Sequence, residues 1–376
     1  MSTSAPPATR GGERVIVGLS GGVDSAVAAL LLKQGGWDVQ GLFMSNWDED
    51  DDGYCTAAQD FQDARAVAAE LAIPLHRVSF AAQYRERVFE HFLREHRAGR
   101  TPNPDVLCNR EIKFGAALRY AQRLGATHFA TGHYARLLTG TAGVELHKAR
   151  DAAKDQSYFL HAVPAGEFAR VLMPLGELPK PEVRACARRA GLPVFDKPDS
   201  TGICFIGERP FREFLGHFLA RTPGPIESPE GERLGTHEGL AFYTLGQRGG
   251  LGIGGRPGRA EDAWYVAAKD VARNTLVIVQ GHDHPLLSSA MLTASAWHWL
   301  VPARSAAFRC SVKVRYRQAD QPALLEPLAD GGMQIRFDQP QRAVTPGQYA
   351  VAYEGEHCLG GGVIDSSAPA ALAAAA

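Results

Sequence analysis

Between an apolar run, Val15-Ile16-Val17, and a helix-forming stretch that opens at Val23, the chain reads Leu19-Ser20-Gly21-Gly22-Val23-Asp24-Ser25. A strand, a glycine-rich turn and a helix start in that order bare several backbone N–H groups at the positive end of a helix. That is a cradle for phosphate. Gly21 and Gly22 let the backbone approach an anion closely, and Ser20 and Ser25 add hydroxyl donors. Asp24 is the odd member, since a carboxylate beside phosphate is repulsive unless a metal ion bridges the two, which points to a nucleotide–magnesium site. The bland alternative is a tight strand–helix connection and nothing more. No Gly-Lys-Ser/Thr follows, so the turn is not a Walker A loop, and it lacks the Gly-x-Gly-x-x-Gly of a dinucleotide fold.

The rhythm around this turn fixes the fold class. From residue 14 to about 132, short apolar strands (14–19, 38–44, 74–80 and 127–131) alternate with helical patterns (23–34, 56–71, 82–96 and 111–124). Alternation of this kind predicts an α/β, doubly wound parallel sheet with helices on both faces and ligands beyond the carboxyl ends of its strands. Met44 ends the second strand at that edge, either beside a bound base or as core. After Pro223-Gly224-Pro225 the helical patterns stop, and short strands are expected at 239–244, 263–269, 276–280, 308–317, 333–337 and 350–353. Strands without intervening helices predict small antiparallel barrels. The expected division is an N-terminal extension over 1–13, a catalytic domain with a helical RNA-binding part over 14–222, a central β domain over 223–285, a C-terminal barrel over 286–366 and a frayed, alanine-rich tail over 367–376.

Composition excludes several classes. Forty-five per cent apolar and 22 per cent charged residues suit a soluble globular chain. No apolar stretch approaches the roughly 18 residues of a membrane span, and the first dozen residues have no signal-peptide core, so a cytoplasmic protein is expected. A net charge of −1 argues against a uniformly basic nucleic-acid binder. Residues 1–60 hold nine acids and three bases, hence −6, which leaves +5 for the remainder. The acidic excess sits in Asp48–Asp52, most simply a solvated loop. Six cysteines without a Cys-x-x-Cys pair speak against structural zinc and a disulfide scaffold.

Several segments look chemical. In Thr101-Pro102-Asn103-Pro104-Asp105-Val106-Leu107-Cys108-Asn109, two prolines predict an extended loop, with a helix starting over Asn109–Glu111. A thiol near a helix N-terminus has its thiolate favoured, Lys113 is close in sequence, and Asp105 is a candidate acid or base. Cys204 sits in Asp199-Ser200-Thr201-Gly202-Ile203-Cys204, reactive or merely buried. Lys154-Asp155-Gln156-Ser157-Tyr158 offers a phosphate-binding lysine or a surface turn entering a helix, and in Gly132-His133-Tyr134 the glycine admits a nucleotide while the histidine is functional or structural. On a strand, Lys313, Arg315 and Arg317 share one face, as an RNA-binding edge or an ordinary solvated strand.

The Ser-Gly-Gly-x-Asp-Ser turn resembles the pyrophosphatase loop of the PP-loop ATPases, which cleave ATP between its α and β phosphates. Together with Asn103-Pro104-Asp105, Cys108, Gly132-His133-Tyr134, Lys154–Tyr158, Ser200–Cys204 and Arg315-Tyr316-Arg317, it resembles the tRNA-specific 2-thiouridylases over about residues 14–364. The resemblance implies that Gly18, Leu19, Ser20, Gly21, Gly22, Val23, Asp24, Ser25, Met44 and Gly132 bind ATP with Mg2+. It implies that Asn103, Pro104 and Asp105 face a flipped-out wobble uridine, and that Lys154, Asp155, Gln156, Arg315 and Tyr316 contact the tRNA anticodon stem-loop. Cys204 would carry a persulfide from a sulfur-donor protein, with Cys108 the second catalytic cysteine and Asp105 a proton carrier.

The family's chemistry is adenylation of the uridine 2-oxygen, which otherwise leaves poorly, followed by replacement with sulfur and release of AMP and pyrophosphate. The persulfide either attacks directly or is cleaved by Cys108 to give hydrosulfide and a Cys108–Cys204 disulfide. Other readings are a PP-loop synthetase forming amide or C–N bonds on a small molecule, and a non-catalytic RNA-binding protein. A further variant keeps the 2-thiouridylase family and places an iron–sulfur cluster on the cysteines.

Overall fold

The computed structural model describes residues 12–47, 56–141, 143–199, 211–253 and 262–369. They fall in two compact units: residues up to 89 with 104–208 and 356–359, and residues 90–103 with 209–355 and 360 onward. Among the described residues no helix is long and apolar enough to cross a membrane.

The first unit is built on a parallel sheet. Its strands in chain order are β1 (Arg14–Gly18), β2 (Asp38–Ser45), β3 (Leu75–Ser79), β4 (His128–Ala130) and a short β7 (Val171–Leu172), arranged β3-β2-β1-β4-β7. Val15, Ile16 and Val17 are fully buried, as expected of a central strand covered on both faces. The helix after β1, α1 (Val23–Gln34), buries nearly all of its Val, Ala and Leu side chains and packs on β1, β2 and α8 (Lys180–Arg189). The helices α2 (Thr56–Glu70) and α3 (Ala81–Tyr84) follow β2 and β3. Because β2 and β4 flank β1, the chain reverses its direction of travel there, and the turns after β1 and β4 meet at the sheet's carboxyl edge.

The antiparallel hairpin of β5 (Ala135–Gly140) and β6 (Gly143–Lys148) leaves the sheet after β4. His357, at the start of β17 (His357–Pro369), pairs with β6. Neither the hairpin nor β7 was expected from the pattern.

Two helical expectations need correction. The stretch expected as a plain helix over 82–96 contains a π-helical turn, Arg85–Phe89, before α4 (Glu90–Arg97) of the second unit. The segment expected as an extended loop is helical from α5 (Pro104–Leu107), which runs into a π-helix, Cys108–Ala117, and then α6 (Leu118–Arg123). Pro104 explains the early start: at the first helical position its missing N–H costs nothing and its fixed φ suits the helix.

In the second unit, α9 (Phe211–Phe218) precedes a four-stranded sheet of β8 (Gly224–Glu227), β9 (Arg233–His237), β10 (Trp264–Asp270) and β11 (Thr275–Gln280), ordered β10-β11-β8-β9. Then β12 (Ser288–Trp299), β13 (Phe308–Lys313), β14 (Gln321–Pro327), β15 (Met333–Arg342), β16 (Tyr349–Glu354) and the rest of β17 close into a barrel, since β12 pairs with both β15 and β17. The strand expected over 239–244 is instead a 3-10 turn, Leu240–Phe242, entered at Gly239 with φ 147°. The strand expected to reach Arg317 stops at Lys313. Arg317 has φ 63°, and Gln318 turns back to accept from the Val314 N–H at 2.8 Å. The single-faced stripe of Lys313, Arg315 and Arg317 therefore does not form. β17 continues to Pro369, three residues into the stretch expected as a frayed tail.

Candidate active site

The turn after β1 is shaped by the protein's own backbone. Gly21 takes φ +78°, and a Cβ there would lie 2.3 Å from the carbonyl oxygen of Asp60 in α2. Gly132, following β4, abuts the first turn of α1, where a Cβ would sit 2.7 Å from the Ser25 nitrogen and 2.8 Å from the Asp24 carbonyl carbon. At Gly18 a Cβ would touch Met44 Cε and Phe129 Cζ, each at 3.4 Å. The glycines thus serve close packing of α1, α2 and β4, where the sequence had suggested room for an anion. What remains for an anion is the N-terminus of α1. Its N-cap, Gly22, has extended φ/ψ and no side-chain cap, so its first N–H groups face the turn. Ser25 Oγ donates to the Gly22 carbonyl at 3.0 Å and receives the Ser20 N–H at 3.2 Å, which sets the loop's shape.

Asp24 is held by a cation from within the fold. Lys180 Nζ, at the start of α8 and itself buried, lies 2.7 Å from both Asp24 carboxylate oxygens and 2.7 Å from Asp199 Oδ1. Tyr134 Oη donates to Asp24 Oδ1 at 2.7 Å. Burial, with the Asp24 carboxylate next, pushes the Tyr134 phenol well above its ordinary range. Asp199 also receives Lys154 Nζ at 2.6 Å and Arg184 Nη2 at 3.0 Å. Burial raises its pKa, but the hydrogen bonds from Lys154 and Lys180 outweigh that, and it falls to about 2. Lys197 Nζ bonds the Gly21 carbonyl at 3.1 Å, Asp60 at 2.7 Å and Asp63, tying loop to α2. The sequence reading missed Lys180. Its one local sign is a lysine between two prolines, Pro179 and Pro181, at a helix start.

The thiol lies on the helix beginning at Pro104. Cys108 is fully buried and heads the π-helix, in the second turn rather than at the helix N-terminus, so the dipole favours its thiolate less than expected. The π-helical i→i+5 pattern brings Lys113 about one turn after Cys108, and Asp105 precedes it by one turn. Burial raises the Asp105 carboxyl pKa, with the Lys113 ammonium opposing in part. Lys113 Nζ is 3.4 Å from His133 Nε2, while His133 Nδ1 meets Thr131 Oγ1 at 2.8 Å. Burial, then Lys113, holds that imidazole well below its ordinary pKa and hence neutral. The segment Thr131–Tyr134 therefore touches the α1 turn through Gly132 and Tyr134, and the Cys108 helix through His133.

The other expected residues are placed as follows. Asp155 is buried. Its carboxylate accepts the Ala149 N–H at 3.1 Å, the Ser157 N–H at 3.2 Å and the Ser157 hydroxyl at 3.0 Å, at the start of α7 (Ser157–Leu160). Gln156 Oε1 accepts the Tyr134 N–H at 2.9 Å. Both are therefore engaged within the fold, while Lys154 is partly exposed. Asn103, Arg315 and Tyr316 belong to the second unit, where Arg315 Nη2 bonds the carbonyl of Ala343 at 2.5 Å. Cys204, with its neighbours Ser200 to Gly207, lies outside the described residues.

Comparison with known proteins bears on this geometry. The family model described as a tRNA methyl transferase HUP domain matches residues 13–208, the PRC-barrel domain of the same series 212–280, and an aminomethyltransferase beta-barrel domain 289–364. A tRNA-specific 2-thiouridylase MnmA of Pseudomonas paraeruginosa is 58% identical over 98% of both chains. That of Chromohalobacter salexigens is 57% identical over 94% of this chain and 93% of its own. That of Alkalilimnicola ehrlichii is 56% identical over 95% and 98%. With the glycine turn, the buried Cys108 and the fold in agreement, the chain belongs to the tRNA-specific 2-thiouridylase family.

Proposed function

We propose that this chain is an ATP-dependent tRNA sulfurtransferase that replaces the 2-oxygen of the wobble uridine with sulfur. The observation that carries this reading is the Thr131–Tyr134 segment, which joins the candidate phosphate turn to the helix bearing Asp105 and Cys108. The residues fit a nucleotide: uncapped N–H groups at the start of α1 and a lysine-rich border of Lys154, Lys180 and Lys197. ATP, with Mg2+, supplies the adenylyl group that makes the uridine oxygen a leaving group.

The N–H groups of the Gly21–Ser25 turn hold phosphate oxygens, with Met44 and Gly132 at the nucleotide's edge. Lys180 offsets the charge of Asp24, so the loop's carboxylate need not rely on a metal alone to tolerate phosphate. Asn103 and Pro104 receive the flipped base. Lys154, Asp155, Gln156, Arg315 and Tyr316 form the tRNA-binding set, Asp155 and Gln156 by ordering the segment that carries Lys154. Asp105, its pKa raised by burial, carries a proton to or from the intermediate. Cys204 carries a persulfide received from a sulfur-donor protein in the cytoplasm. In one route its outer sulfur attacks the adenylated uridine carbon and expels AMP, and the Cys108 thiolate then attacks the Cys204 sulfur of the resulting bridge, releasing the 2-thiouridine and forming the Cys108–Cys204 bond. In the other, the Cys108 thiolate attacks the inner sulfur, forming the Cys108–Cys204 bond and expelling hydrosulfide, and a later two-electron thiol reductant restores both thiols.

The test is thiolation of tRNA with ATP, magnesium and a persulfide donor, with Cys108→Ser and Cys204→Ser in turn. Each is expected to abolish 2-thiouridine formation. AMP release with a small-molecule acceptor in the Cys108→Ser protein would favour the synthetase reading instead.

A further inference from the structure

Away from the nucleotide turn, three side chains with metal-binding atoms meet on one face of a two-strand ladder. Glu145 and His147 are two apart on β6 and so share a face, and His357 lies directly across from His147 in register. One ligand atom from each of Glu145, His147 and His357 lies within 4.8 Å of the others. The two imidazoles stack nearly parallel, with centroids 4.8 Å apart and an interplanar angle of 9°. Neutral imidazole is the commonest protein metal ligand. His147 Nε2 and Glu145 Oε2 are 3.1 Å apart. Tetrahedral zinc with bonds of about 2.0–2.1 Å spaces its ligands about 3.3 Å apart, so the pair already spans one edge of such a site. The Glu145 carboxylate is held over Gly140, where a Cβ would lie 1.9 Å from Oε1. The neighbouring Glu356 is engaged by Arg136 at 2.6 Å.

We propose that Glu145, His147 and His357 bind one divalent cation of the zinc class, with water completing the fourth position. Two imidazoles and a carboxylate suit Zn2+, Co2+ or Ni2+ better than Mg2+ or Ca2+, which prefer all-oxygen sites. The ion would cross-link β6 to the start of β17, fastening the β5–β6 hairpin to a strand distant in sequence. It takes no part in the thiolation chemistry above.

The test uses the full-length chain, stripped of metal and carrying Cys108→Ser and Cys204→Ser so that those thiols do not compete. Titration with Co2+ is expected to saturate at one equivalent, with the visible spectrum of a tetrahedral nitrogen–oxygen site and no sulfur-to-cobalt charge-transfer band. His147→Ala and His357→Ala should each weaken binding at least tenfold, and Glu145→Gln several-fold. Absence of binding, a sulfur band, or binding unchanged by both histidine substitutions would overturn the proposal. Should those variants fail to fold, mass spectrometry of diethylpyrocarbonate-treated protein decides. Zn2+ is expected to shield His147 and His357 selectively, and equal labelling with and without Zn2+ counts against the site.

Discussion

Two groups of charged side chains, one in each unit, are held in opposite ways. In the first, Asp24, Lys180, Asp199, Lys154 and Arg184 form a chain of ion pairs, and the two carboxylates remain about one third exposed. In the second, the buried His96 and the half-buried Lys269 have no carboxylate partner among their described bonds. His96 Nδ1 meets the Ala241 carbonyl at 3.1 Å and Lys269 Nζ the Gly99 carbonyl at 3.0 Å. Burial lowers their pKa values to about 4 and about 8. An open network of opposite charges can exchange a partner for phosphate at little desolvation cost. Charges buried against carbonyls exchange nothing and make folding depend on pH. The first arrangement suits a reaction site, the second a structural interior.

The strongest break of this contrast is Lys180→Met. It leaves the Asp24 carboxylate beside the incoming phosphates, and tRNA thiolation is expected to fall about 10²- to 10³-fold, the usual scale for losing one preorganised electrostatic contact. The thermal midpoint should move little, because Asp24 and Asp199 are partly solvated. A wild-type rate would remove Lys180 from the site.

Next is the pH dependence of the second unit. His96 is depressed in the folded state, so the unfolded chain binds its proton first. Stability from this group is complete above pH 6.5 and is lost as pH falls toward about 4. The interval corresponds to about 3 kcal/mol. Urea titrations between pH 7 and 4 should show that loss in the wild type and a flatter profile in His96→Gln, compared at equal net charge change elsewhere. Identical slopes would mean that His96 does not titrate as its surroundings imply.

The candidate site was legible wherever its determinants were local. The glycine turn and Asp24 lie within seven residues of one another, and the alternation of short apolar runs with helical stretches over 14–132 implied the parallel sheet. Lys180 was not legible because its partners, Asp24 and Asp199, come from other parts of the chain. Asp155 and Gln156 fit a surface turn in the sequence, and only the Ala149 and Ser157 N–H groups, for Asp155, and the Tyr134 backbone, for Gln156, turn them inward. Pro104 misled in the other direction, since a proline in a Pro-Asn-Pro run signals a loop yet also suits the first position of a helix. In the barrel, β12 carries polar and small residues whose alternation is broken by bulges, so neither period stands out. The basic stripe failed after Lys313, where the strand ends and the chain turns through Arg317 with a positive φ that no local composition foretold.

Gly132→Ala tests the meeting of the β4 and α1 turns. The added methyl would lie 2.7 Å from the Ser25 nitrogen, and backbone on both sides cannot yield cheaply, so a stability loss of about 1–3 kcal/mol is expected, measured by denaturant unfolding. A neutral result would show that the turn after β4 is looser than its packing indicates.

The smallest effect separates stability from binding in one residue. Lys154 is one of three cations on Asp199 and is itself partly exposed, so Lys154→Ala should alter unfolding by less than about 1 kcal/mol, as for other solvated ion pairs. Lys180 and Arg184 continue to hold Asp199 after its loss. If Lys154 meets a tRNA phosphate, the same variant weakens tRNA binding and lowers the slope of log affinity against log salt by about one. An unchanged slope with a changed unfolding midpoint would assign Lys154 to the fold alone, alongside Asp155.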